Sequence, residues 1–118
     1  MTNRWPFTLG DSAGDTIIKA SELSGSTLFV AGTSSATDIK HASASVSVFA
    51  ASISTSTIGG SINWIKRVVD SSNPGSGKIT DVHQMLLVGS EIVLMVSGTA
   101  SSDYFFEMIS QNDGSFVI

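Results

Sequence analysis

The sequence predicts an all-β fold, an antiparallel β-sandwich or jelly roll of about seven to eight strands. Three observations point there. Apolar residues alternate with polar ones over short runs, most clearly between Lys40 and Ala50. Such a period of two is the pattern of a strand with one buried face. Turn-forming Gly, Asn, Asp and Pro residues punctuate the chain between those runs. Finally, no long amphipathic helical stretch alternates with the strands, which disfavours an α/β architecture. The whole chain, 1–118, reads as one domain with residues 1–15 as an irregular N-terminal arm.

Within that arm Pro6 favours an extended Trp5 and separates it from Phe7. Two aromatics in an irregular arm are expected to pack, either on their own domain or on a neighbouring subunit. Thr16–Ala20 (TIIKA) is a short strand, ASELSG a turn or a single helical turn, and Ser26–Ala31 (STLFVA) a stronger strand. Gly32–Asp38 reads as a polar loop. In the next strand Ala42, Ala44, Val46 and Val48 share one face, and His41, Ser43, Ser45 and Ser47 the other. The phase slips at Phe49-Ala50-Ala51, which a bulge or corner near residue 50 would explain. Gly59-Gly60 ends that run.

Ser61–Asp70 fits both a strand and a helix by spacing, and its β-branched Ile and Val content favours the strand. Ser71–Lys78 is a turn-rich loop. Ile79–Val88 and Glu91–Gly98 are apolar strands separated by Gly89-Ser90. The second is apolar on both faces: Ile92, Leu94 and Val96 on one, Val93 and Met95 on the other. A strand of that kind is central in a sandwich or faces a partner subunit. Thr99–Asp103 reads as a turn, and Tyr104–Ser110 and Ser115–Ile118 as strands of a hairpin around Gln111-Asn112-Asp113-Gly114. No internal repeat stands out in the sequence.

The composition narrows the function. The chain has 22 serines, 10 threonines and 11 glycines, more than a third of its length, and no cysteine. Disulfides and thiolate metal sites are therefore excluded. Six basic and 10 acidic residues give a net charge of −4, and the only adjacent basic pair is Lys66-Arg67. Nucleic-acid binding needs a clustered positive footprint and is not expected. No run reaches the apolar length of a membrane-spanning helix, and Met1–Gly10 lacks the pattern of a signal peptide. The low charge density suits close packing of copies, and a homo-oligomer is the expected state.

Motifs with chemistry are sparse. His41 and His83 stand 42 residues apart, and each reads as an independent surface or rim residue. No G-x-S-x-G elbow marks a serine nucleophile. Gly75-Ser76-Gly77-Lys78 lacks the remainder of a phosphate loop, because Ser72 and Ile79 occupy the flanking motif positions. Asp11 and Asp15 lack the spacing of an EF-hand, and Glu91 and Glu107 read as charged edges or solvated faces. Neither a cofactor nor a metal is expected.

The sequence thus points to a non-enzymatic structural or assembly protein, similar in general character to the shell and fibre components of viruses and phages. A virion or extracellular setting goes with that reading. The interface candidates are Trp5, Phe7, Val93 and Met95. The alternative is a carbohydrate-binding sandwich, with Trp64 and Tyr104 as the aromatic ligand-binding candidates and a glycan as partner.

Overall fold

A computed structural model describes residues 15–36, 46–56, 60–69, 79–98 and 101–117. The described residues form seven strands: β1 (Thr16–Ser24), β2 (Thr27–Ser34), β3 (Ser47–Ser54), β4 (Ser61–Val68), β5 (Ile79–Val88), β6 (Glu91–Gly98) and β7 (Ser101–Ser110). They form two antiparallel sheets, ordered β1-β2-β3-β4 and β5-β6-β7. Sequence neighbours pair throughout each sheet, so both are meanders. The sheets stack face to face as a β-sandwich.

The core between the sheets explains the apolar pattern. Phe29, Ala31, Val48, Ala50, Trp64 and Val68 of the first sheet meet Val82, Met85, Ile92, Leu94, Val96 and Ile109 of the second. The first sheet has a second buried layer on its far side, built from Val30, Phe49, Ala51 and Ile53. β3 is therefore buried on both faces. This accounts for the phase slip at residues 49–51, where a bulge was expected. β3 runs in unbroken register along β2 from Ser47 to Ser54. The only irregularity in its pairing with β4 lies between Ser52 and Ile53, where Asn63 is the extra residue.

Three further expectations change. Residues 101–103, expected in a turn, open β7 instead. Residues 20–24 continue β1 instead of turning, because Ser21, Glu22 and Leu23 pair with Val30, Phe29 and Leu28. The turn contracts to Gly25-Ser26, with Gly25 at φ 59°. A glycine first and an ordinary residue second is the sign pattern of a type II′ hairpin, which matches the strand twist. β2 likewise runs on to Ser34, past the expected start of a loop at Gly32. Glycine is required there because an added Cβ would overlap the Ile17 carbonyl of β1. The segment Ser61–Val68 is a strand, and the β5–β6 hairpin has the strand limits read from its sequence.

The two sheets also repeat one another, which the sequence reading missed. Gly25 (φ 59°) and Gly89 (φ 58°) open the first hairpin turn of each, and both are followed by Ser. Gly60 and Gly114 both stand at φ 77°. Thr55 N–H donates to the Ser26 carbonyl at 2.7 Å, and Gln111 N–H donates to the Ser90 carbonyl at 2.9 Å. Ile53 pairs with Ile62 in the first sheet, and Ile109 bridges to Phe116 in the second. Ser115–Val117 thus begins along β7 as β4 does along β3, with Val117 N–H bonded to the Met108 carbonyl.

One edge of the sandwich is tied by Lys19 on β1 and Asp81 on β5, whose Nζ and Oδ1 lie 2.7 Å apart. Burial raises the Asp81 carboxyl. The Lys19 hydrogen bond and charge, with the Val82 N–H, outweigh it and hold the group below its usual range. At the other edge the Trp64 indole N–H donates to the Gln111 carbonyl at 2.9 Å. Gly114 packs on the Trp64 ring and the Lys66 stem.

Candidate interaction face

The far face of the β5-β6-β7 sheet is built by strand alternation. Side chains that do not enter the core point outward in rows across the three strands. Gln84, Met95 and Phe106 form one row, and Leu86, Val93 and Met108 the next. Phe106 is 69% exposed and Leu86 58% exposed, while Val93 and Met95 are half-buried between them. A shallow groove of about 160 Å³ runs between Leu86, Val93, Met95 and Phe106.

The rim of this face is polar. At one end the His83 ring meets the Tyr104 ring edge-on with centroids 4.7 Å apart. The same imidazole Nε2 lies 2.8 Å from the Ser97 hydroxyl. At the other end stand Glu91 and Ser110, which share a register position. Ser90 donates its hydroxyl to the Glu91 carboxylate at 2.7 Å. An apolar centre within a polar rim is the anatomy of a protein–protein contact. The contrast with the first sheet is direct, since its far face is buried at Val30, Phe49, Ala51 and Ile53.

The structure places the predicted residues as follows. Val93 and Met95 lie side by side on this face. Trp5 and Phe7 fall outside the described residues. Tyr104 is exposed on the rim. Trp64 is 9% exposed, with its ring packed in the core 6.5 Å from Phe29. A sugar platform needs an open ring face, and Trp64 does not offer one. Trp64 and Tyr104 belong to different sheets and do not form a common site. His41 and the 75–78 loop also fall outside the described residues, as does Asp11.

Sequence reasoning missed three participants in the face: Leu86, Phe106 and Met108. Alternation in YFFEMIS does place Phe106 and Met108 opposite Phe105 and Ile109. Leu86 was not legible in that way, because β5 shifts register between Val82 and Gln84. Sequence reasoning also missed Glu107, which is not on a solvated face but 5% exposed, directed to the core side like Ile109. Among the described residues no group of three or more His, Asp or Glu side chains is placed to hold a metal.

A second concavity, of about 470 Å³, opens between the sheets at the end that carries both hairpin turns. Its walls are Thr27, Phe29, Ser52, Asn63, Ser90, Gln111 and Asn112, with no charged side chain among them. Part of this lining is already committed. Asn63 Nδ2 donates to the Ser52 hydroxyl, and Gln111 Nε2 donates to the Gly89 and Glu91 carbonyls.

The fold and its open face define a two-layer antiparallel β-sandwich with one uncovered apolar sheet. No protein-family model, no curated protein and no solved structure matches the chain. Among the described residues no helix is long and apolar enough to cross a membrane.

Proposed function

We propose that this protein is a non-enzymatic structural module that assembles, as a homo-oligomer, through the far face of its β5-β6-β7 sheet. One observation carries the reading. Leu86, Val93, Met95, Phe106 and Met108 form a continuous apolar surface that the chain leaves open. Isolated exposed apolar residues are ordinary, but a contiguous patch with a polar rim marks an interaction site.

The size of the face sets the expected strength. Three strands of about ten residues span roughly 33 by 14 Å, or about 450 Å² per partner. Two such faces bury about 900 Å², the low end of specific interfaces. Self-association is therefore weak and concentration-dependent. Light scattering after size exclusion at about 100 µM, above the dissociation constants of small interfaces, tests it. An oligomer that Phe106→Glu returns to monomer is the expected result. A wild-type monomer at that concentration would sink the reading.

The 470 Å³ cleft favours a second reading, a carbohydrate-binding module. Hydroxyls and amides without charge suit a neutral polyhydroxyl ligand, with Phe29 as an apolar wall. A glycan array with Asn63→Ala as control tests it, and an array without a hit removes it.

A further inference from the structure

The repeat described above has a consequence for what the open face accepts. Equivalent residues fall on opposite sides of the shared core. Ile53 is on the far side of the first sheet, whereas its counterpart Ile109 is in the core between the sheets. Ala50 is in that core, whereas its counterpart Phe106, three residues before Ile109 as Ala50 is before Ile53, lies on the open face. The sheets are therefore stacked head to tail. Each has a leading face and a trailing face. The leading face of the first sheet rests on the trailing face of the second.

Among the described residues, nothing packs on the leading face of the second sheet. We infer that it is the docking surface for one further four-stranded meander of the same design, packed in the same head-to-tail sense. This rests on reading the face as an assembly surface and replaces a second copy joined open face to open face with a further unit packed head to tail. Three observations support it. The face continues an interface that the molecule already makes, since Val93, Met95 and Phe106 stand where Phe29, Ala31 and Ala50 stand in the first sheet. The other end of the stack is closed, since Val30, Phe49, Ala51 and Ile53 are buried. The trailing face now in use is aliphatic at Ile92, Leu94, Val96 and Ile109, and the open face offers Leu86, Val93, Met95 and Phe106 to a surface of that kind. Repeats of this sort bury their faces only by stacking on neighbours. Radial stacking of four-stranded meanders is how β-propellers are built.

The repeat itself supplies the probe. Trp64 follows Gly60 by the same interval at which Ile118 follows Gly114, so the two hold equivalent sequence positions. A chain extended after Ile118 by a second copy of residues 65–118 carries one more unit in phase. The protein has no cysteine, so a single Phe106→Cys in the original segment is a unique thiol. In the unextended chain it should react freely with a thiol reagent. In the extended chain the rate should fall on the order of tenfold or more, as for a site reached only by local opening. Leu23→Cys, exposed on β1, should react equally in both. If Phe106→Cys prevents folding, Tyr104→Cys on the same face gives the same readout.

Equal labelling in both chains, with the added residues cut by protease as unfolded chain, would overturn the inference. So would rapid self-disulfide formation by Met95→Cys in the unextended chain, because that places two open faces together about a twofold axis. The second result leaves self-assembly standing while removing head-to-tail docking. A monomeric wild type with a protected thiol in the extended chain does the reverse.

Discussion

Leu94 and Phe106 sit on adjacent strands and point to opposite sides of one sheet. Leu94 is fully buried in the core, and Phe106 is 69% exposed. Truncating Leu94 to Ala removes buried methylenes and leaves a cavity, at a cost of about 3–4 kcal/mol. Complete burial of a Phe side chain stabilises by about 2–3 kcal/mol, and less than a third of Phe106 is covered, so Phe106→Ser should cost below about 1 kcal/mol. For a chain of this size the urea dependence is about 1–1.5 kcal/mol per molar. Leu94→Ala should therefore lower the unfolding midpoint by about 2–4 M, and Phe106→Ser by less than about 1 M. Tryptophan fluorescence in urea at about 1 µM protein keeps association from contributing. At about 100 µM the Phe106→Ser deficit should widen, because association through the open face stabilises only the wild type. If Phe106→Ser is as damaging as Leu94→Ala at the lower concentration, the assignment of the two faces is wrong.

The remaining predictions follow from local geometry. Gly32→Ala should destabilise by about 3 kcal/mol, because the new methyl would overlap the Ile17 carbonyl, and thermal unfolding would show it. Gly114→Ala should cost about 2–3 kcal/mol in the same assay, since it combines a φ of 77° with a Cβ 2.7 Å from Trp64 Cε3. Trp64→Phe should cost about 1–2 kcal/mol by losing the indole bond to the Gln111 carbonyl, readable as a lower urea midpoint. Asp81 has a folded-state pKa below its unfolded value, so its stabilisation is present above the unfolded pKa and is lost as pH falls through the folded one. Lys19→Ala should flatten that part of the acid limb, at and below the usual aspartate range, by no more than about 1 kcal/mol because the pair is exposed. A melting-temperature profile unchanged by Lys19→Ala would dismiss the pair as a contributor.

What could be read in advance depended on whether one face of a strand or two was buried. β5 and β6 have a single core face and a glycine turn between them, and their limits were legible to the residue. Val93 and Met95 could be assigned to the face away from the core because Ile92, Leu94 and Val96 on the opposite side of β6 already accounted for it. β3 was misread at residue 50 because both of its faces are buried. When apolar residues are required on both sides, period two disappears and imitates a bulge. Residues 20–24 were misread for the converse reason. β1 is an edge strand whose exposed Ser21, Glu22 and Ser24 carry no apolar signal, and only the backbone ladder to β2 makes them a strand.

The repeat was hidden by the same physics. Its clearest sequence trace is the Gly-Ser pair of each first turn, at 25–26 and 89–90. That trace is short because equivalent positions meet different surroundings. Ala50 packs in a dry core, but its counterpart Phe106 lies open; Ala51 fills a tight layer, but its counterpart Glu107 is a buried carboxylate. Side-chain identity follows the surroundings and diverges. Backbone conformation follows the turn and does not, so the matched glycines at φ 59° and 58°, and at φ 77° twice, keep the record. A unit repeated in backbone and not in side chains was shaped by where each copy sits in a stack. Under the proposed stacking, the large apolar residues on the open face are matched to a neighbour, and the phenyl ring of Phe106 marks where that neighbour would rest.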